Sequence, residues 1–142
     1  MHAVIARVSV AVALSATGAG ASESFVTPGL YRIEVRIALP NVQDVAAPIA
    51  LTRCIRPADL ESGQAFFVRS DNPLRNCDQI DYQVRAYTVS YRIACPGPNR
   101  GSAVPVFTTT STAYRGSIKM NLGGKNMTMS ETQIGERVGE CE

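Results

Sequence analysis

The stretch Tyr87-Thr88-Val89-Ser90-Tyr91-Arg92-Ile93-Ala94-Cys95 decides the fold. Tyr87, Val89, Tyr91, Ile93 and Cys95 share one parity, while Thr88, Ser90, Arg92 and Ala94 take the other. Such period-two alternation marks a strand with one buried face. The stretch therefore predicts a core strand that ends in a cysteine. Just upstream, Ile80, Tyr82 and Val84 alternate on the opposite parity, and a two-residue hairpin loop at Arg85-Ala86 or a bulge accounts for the change. Facing positions across that hairpin then carry numbers that sum to an odd total, whereas Cys77 and Cys95 sum to an even one. The alternation favours pairing Cys54 with Cys77 and Cys95 with Cys141, unless Cys77 lies outside its strand.

The same rhythm extends in both directions. Toward the N-terminus, Leu30 to Leu39 sets Tyr31, Ile33, Val35, Ile37 and Leu39 against Arg32, Glu34, Arg36 and Ala38, the cleanest strand in the chain. Val42 to Ala47 is a loop, and Pro48 to Ile55 returns as a second strand. Arg56 to Gly63 predicts one short helix, with proline in its first turn, acidic residues early and glycine as its stop. Phe66-Phe67-Val68 is apolar but brief, and Ser70 to Asn76 is a loop. Toward the C-terminus, Ser102 to Thr109 forms a strand in which Pro105 marks an edge or bulge position. Tyr114 to Leu122 forms another, and Gly123-Gly124-Lys125-Asn126 turns the chain into a last segment with an irregularity at Gly135. About seven or eight strands without a long crossover predict an all-β antiparallel meander with one short helix. One wet face on so many strands predicts a sheet curled or closed into a small barrel, with a two-sheet sandwich as the alternative.

The first 21 residues have the organisation of a secretory signal peptide: Arg7, the apolar Val8 to Leu14, and the small residues Ala19-Gly20-Ala21. Cleavage before Ser22 leaves residues 22–142 as a single domain of 121 residues, enough to bury about two-thirds of its unfolded surface. The apolar run is too short for a membrane helix, so no stable membrane insertion is expected and the product should be periplasmic. Losing Arg7 leaves 13 basic against 12 acidic residues, and this scattered near-balance argues against a dedicated nucleic-acid partner. Four cysteines in an exported chain of this size predict two disulfides, and the absence of Cys-x-x-Cys fits poorly with zinc or redox use.

Histidine occurs once, at His2, and departs with the signal peptide. A Ser-His-Asp or Cys-His set is thereby excluded from the mature chain, and no catalytic, metal or cofactor site is expected. The remaining constellations have plain structural explanations. Ser117 and Lys119 share a strand face that Asn121 continues, which implies water and not a dry nucleophile pocket. Asp78 and Asp81 fall on opposite strand faces, and Gly123-Gly124-Lys125 precedes a strand where a phosphate loop needs a helix. Asn126-Met127-Thr128 fits a glycosylation pattern but begins a strand.

The aromatic and methionine residues Tyr82, Tyr87, Tyr91, Phe107, Tyr114, Met120, Met127 and Met129 either fill the interior or line a cavity. The candidate cavity lining is Tyr82, Tyr91, Phe107, Met120 and Met129, and a cavity of about 300 Å³ or more would mark a binding module for a small apolar ligand. An envelope interaction domain, using an edge strand or apolar patch, is the competing expectation.

Several segments together resemble a known family: Pro28-Gly29-Leu30-Tyr31, Cys54-Ile55-Arg56-Pro57 leading to Asp59, Cys77 and Cys95, the Gly123-Gly124 turn with Met-Thr-Met after it, and Arg137-Val138-Gly139-Glu140-Cys141. The chain is similar from about Thr27 to Cys141 to the bacterial exported family catalogued as domain of unknown function 3617. Tyr31 stands where that family usually has tryptophan, which keeps a large amphipathic ring. The resemblance implies no activity, substrate or site residue.

Overall fold

The computed structural model describes residues 26–40, 47–63, 65–66, 69, 71–97, 100–124 and 127–142. The predicted signal peptide, most of the Val42 to Ala47 loop, Phe67, Val68, Lys125 and Asn126 lie outside them. Seven strands follow in order: β1 (Gly29–Ala38), β2 (Ile49–Ile55), β3 (Asp78–Arg85), β4 (Thr88–Ala94), β5 (Ser102–Thr109), β6 (Ala113–Asn121) and β7 (Thr128–Gly139), with helix α1 (Pro57–Glu61) between β2 and β3. All pairings are antiparallel, and the strands form one sheet in the order β2-β1-β7-β6-β5-β4-β3.

That order is a barrel's circular order with one pairing missing. β1 joins β7, as the first and last strands of an up-and-down barrel do, but β2 and β3 do not pair. The expected meander is present, and of the two expected shapes the curled, unclosed sheet is the one formed. Pro57 opens α1, and the Asp59 carboxylate accepts a hydrogen bond from the Arg56 amide (2.8 Å).

One face of the sheet carries the core: Tyr31, Ile33 and Val35 of β1, Val89, Tyr91 and Ile93 of β4, Ala103 and Phe107 of β5, Tyr114, Ile118 and Met120 of β6. It is covered by the chain itself. Ala65, Phe66, Asn72 and Leu74, from the segment between α1 and β3, are all buried against it, as is Val26. Phe66 lies 5.2 Å, ring centre to ring centre, from both Phe107 and Tyr114, edge-on to the latter, and Tyr91 donates its hydroxyl hydrogen to the Phe66 carbonyl.

Two glycines make room for these rings. Phe107 pairs across strands with Gly116 and Tyr114 with Gly135, and a Cβ at either glycine would overlap the facing ring. The irregularity expected at Gly135 is instead a flat seat for Tyr114, and the register shift of β7 falls at Leu30/Tyr31 opposite its end.

Two expectations fail for one local reason. Asp81 takes a left-handed conformation (φ 56°), and the β3–β4 register slips by one residue between Ile80 and Gln83. The bulge reverses the parity rule on its far side. Cys77, just outside β3, therefore meets Cys95, with Cα atoms 4.6 Å apart, and Cys54 bonds Cys141 at 5.4 Å. The second pairing follows from topology: Leu30 lies between Cys54 of β2 and Gly139 of β7, two residues before Cys141. Tyr87 is also displaced from its expected place, because the hairpin turn is Ala86-Tyr87 and leaves that ring 69% exposed.

Truncating Phe66 to alanine should cost about 3–5 kcal/mol by opening a void beside the Phe107 and Tyr114 rings. Gly135→Ala should cost about 1–3 kcal/mol through overlap with Tyr114. Urea unfolding of the oxidised protein measures both, and peptide mapping without reductant should return Cys54–Cys141 and Cys77–Cys95.

Candidate functional site

Aromatic packing consumes most of the expected cavity. Tyr91 and Phe107 are buried, and Phe66 fills the space between Phe107 and Tyr114, so these side chains line no void there. Tyr82 is half-buried, its ring 6.2 Å from that of Tyr91. Met127, grouped with the interior residues by sequence, is exposed in the β6–β7 turn. Burial holds the Tyr91 and Tyr114 phenols well above their ordinary pKa, and the Tyr114 hydroxyl has no hydrogen-bond partner among the described residues.

Sequence periodicity gave no warning of a second feature. β7 places Glu131 and Gln133 on the apolar face, each only 1% exposed, where the alternation of their strand puts core residues. Gln133 Nε2 donates to Glu131 Oε1 at 2.6 Å. Asn72, from the covering segment, is buried beside them; its amide donates to the Met120 sulfur (3.0 Å), and its Oδ1 accepts from the Leu74 amide (2.9 Å). A void of about 70 Å³ adjoins the cluster, bordered by Ile37, Arg69, Asp71, Asn72, Met129 and Glu131. Desolvation raises the Glu131 pKa above its ordinary value, although Gln133, Arg69 and Asn72 pull it back down. The arrangement ties the covering segment to the sheet through polar contacts that only one position satisfies.

The larger opening lies at one end of the sheet. Ala38, Leu39 and Pro40 after β1, the start of β5, the end of β6 and the start of β7 border a recess of about 570 Å³. Val104, Lys119, Asn121 and Thr128 are exposed along its walls, and Ala103 and Met120 contribute to its floor from buried positions. Met120 pairs across strands with Met129. Of the five expected lining residues, Met120 and Met129 thus border an opening, while Tyr82, Tyr91 and Phe107 do not. Lys119 has no ion pair among the described residues.

The remaining candidates have structural partners. Ser117 and Lys119 sit on the outer face as expected. Asp81 accepts a hydrogen bond from Arg92 (2.7 Å), and Asp78 is exposed. Gly123 and Gly124, both at positive φ, form the turn, and no group of three or more metal-ligating side chains occurs among the described residues. Both disulfides are formed, which places this protein in a non-cytoplasmic setting. No helix among the described residues is long and apolar enough to cross a membrane.

A family model described as "Protein of unknown function (DUF3617)" matches residues 26–141. No curated protein and no solved structure matches the chain.

Because its folded pKa is raised, Glu131 binds a proton more readily in the folded state than in the unfolded one. Its contribution to stability is therefore greatest below the ordinary carboxylate pKa and is lost as pH rises through the folded value. Glu131→Gln should flatten that part of the pH profile, so that urea midpoints measured from pH 4 to 7 fall less steeply than in the parent.

Proposed function

The chain belongs to the DUF3617 family of proteins of unknown function, and we propose that this member is a non-enzymatic periplasmic module that binds one small apolar molecule with an anionic end. The observation that carries the reading is the recess at the sheet end. Its volume, about 570 Å³, falls within the range of about 300–1,000 Å³ usual for small-molecule sites. Leu39, Pro40, Val104 and the two methionines supply an apolar lining, and methionine adapts to irregular ligand shapes. Lys119 supplies a cation to an anionic end, and Asn121, Thr128 and Ser130 supply hydrogen-bonding groups. The non-enzymatic part rests on the sequence, whose only histidine is His2.

Envelope protein interaction is the second reading. It is favoured by the two unpaired sheet edges, β2 and β3, along which Ile49, Ile80 and Val84 are exposed. Repeated pull-downs from periplasm that return no reproducible partner would count against it.

Native mass spectrometry after incubation with a medium-chain fatty acid should show one added molecule per chain. Lys119→Ala should weaken binding about five- to tenfold, as expected for loss of one charge-assisted contact. Val104→Trp should abolish it by filling the recess. Absence of any adduct, together with failure to displace a fluorescent fatty acid, would rule the recess out as a binding site.

A further inference from the structure

We propose that the outer face around the β5–β6–β7 end of the sheet docks on an anionic lipid bilayer. The inference goes beyond ligand binding and needs no molecule in the recess. It starts from the pairing of charges on that face. Glu34 accepts from Arg36 (2.8 Å), Glu136 lies 3.4 Å from Arg32, and Asp81 is bonded to Arg92. These three carboxylates are therefore each matched by an arginine. Arg115 and Lys119 are not: both are exposed on the outward parity of β6, and neither has an ion pair among the described residues. Four residues apart along one strand, they stand about 13 Å from each other.

Aliphatic side chains lie among these cations. Val104 is directly opposite Lys119 in the neighbouring strand and is 50% exposed; Val106, opposite Ser117, is 42% exposed. Leu39 borders the same recess as Lys119 at 48%, and Ile134, opposite Arg115 in β7, is 42% exposed. Adjacent exposed apolar groups of this kind mark an interaction surface. A soluble polyanion would match the two cations and leave the aliphatic groups in water. A bilayer surface satisfies both, because apolar side chains enter the headgroup boundary while Lys and Arg meet anionic lipid. The nearly neutral total charge does not oppose this, since attraction to a charged surface is screened beyond about 8 Å and is decided locally.

The test is co-flotation of the oxidised protein with vesicles of mixed phosphatidylglycerol and phosphatidylcholine, and with pure phosphatidylcholine vesicles as the contrast. Binding is expected to the anionic vesicles only. Each cation near such a surface is worth about a fivefold change in partitioning, so Arg115→Glu with Lys119→Glu should reduce binding at least twentyfold. Val104→Ser with Ile134→Ser should weaken it at constant charge. All four positions are exposed, and unchanged melting curves would confirm that the variants fold.

The proposal is overturned by equal binding to both vesicle types or by binding to neither. It is equally overturned if charge reversal has no effect, if the patch proves to be covered in a dimer detected by light scattering, or if a soluble polyanion binds the serine variant as tightly as the parent. Failure in flotation with a persisting fatty-acid adduct would remove this proposal alone, whereas loss of the adduct with flotation intact would remove only the ligand reading.

Discussion

The pairing of β1 with β7 is the constraint on which the rest of this structure depends. By joining the two ends of the chain it turns a meander into a curled sheet whose apolar face looks inward. The curl stops one pairing short, between β2 and β3, and an open apolar face is unstable in water unless something covers it. The segment between α1 and β3 is that cover. Phe66 supplies its apolar contact with Phe107 and Tyr114, Asn72 supplies its polar contact, and the Cys77–Cys95 bridge anchors its end to β4. The second bridge, Cys54–Cys141, fastens the chain terminus across β1 at the junction that closes the sheet.

Filling the interior in this way leaves little room between the rings. In a closed barrel of similar size the inward side chains either fill the lumen or leave room for one ligand. Here the space is taken by three mutually packed rings and by the Glu131–Gln133 pair beneath Asn72. The buried carboxylate costs stability through desolvation, an expense ordinary in places where a polar contact defines one arrangement among several apolar alternatives. The recess at the sheet end, by contrast, is open to solvent and has a cation, Lys119, at its wall.

Strand existence was legible throughout, and the sorting of one face from the other in part: β3 exposes Ile80 and Val84, and β7 buries Glu131 and Gln133. In β1, β4 and β6 the apolar parity of the sequence is the parity that is buried. The short helix was legible too, from Pro57, Asp59 and Gly63, although its ordered turn is shorter than the predicted span. Errors came where a single residue changed the count. Asp81, an ordinary polar residue in an alternating run, adopts a left-handed conformation and shifts every pairing beyond it, which is why parity gave the wrong disulfides. Nothing in the local pattern signals this, because the conformation is selected by the strand alongside. Phe66 was visible only as part of a short apolar run with no period, and its role as the core's cover depends on β2 and β3 remaining apart.

The amino-acid sequence by itself determined, in β1, β4 and β6, which side chains face oil and which face water, since alternation with period two is a property of the extended backbone and needs no partner strand. It also supplied four cysteines for cross-linking and a single histidine, His2. Only the tertiary structure decided which cysteines meet, whether the interior is hollow or filled, and that Lys119 and Arg115 share a face with Val104 and Ile134. Those are relations between residues far apart in the chain, set by strand order, by one bulge and by where the sheet stops closing. Local propensity does not encode such choices; they follow from the global competition to bury a single apolar surface.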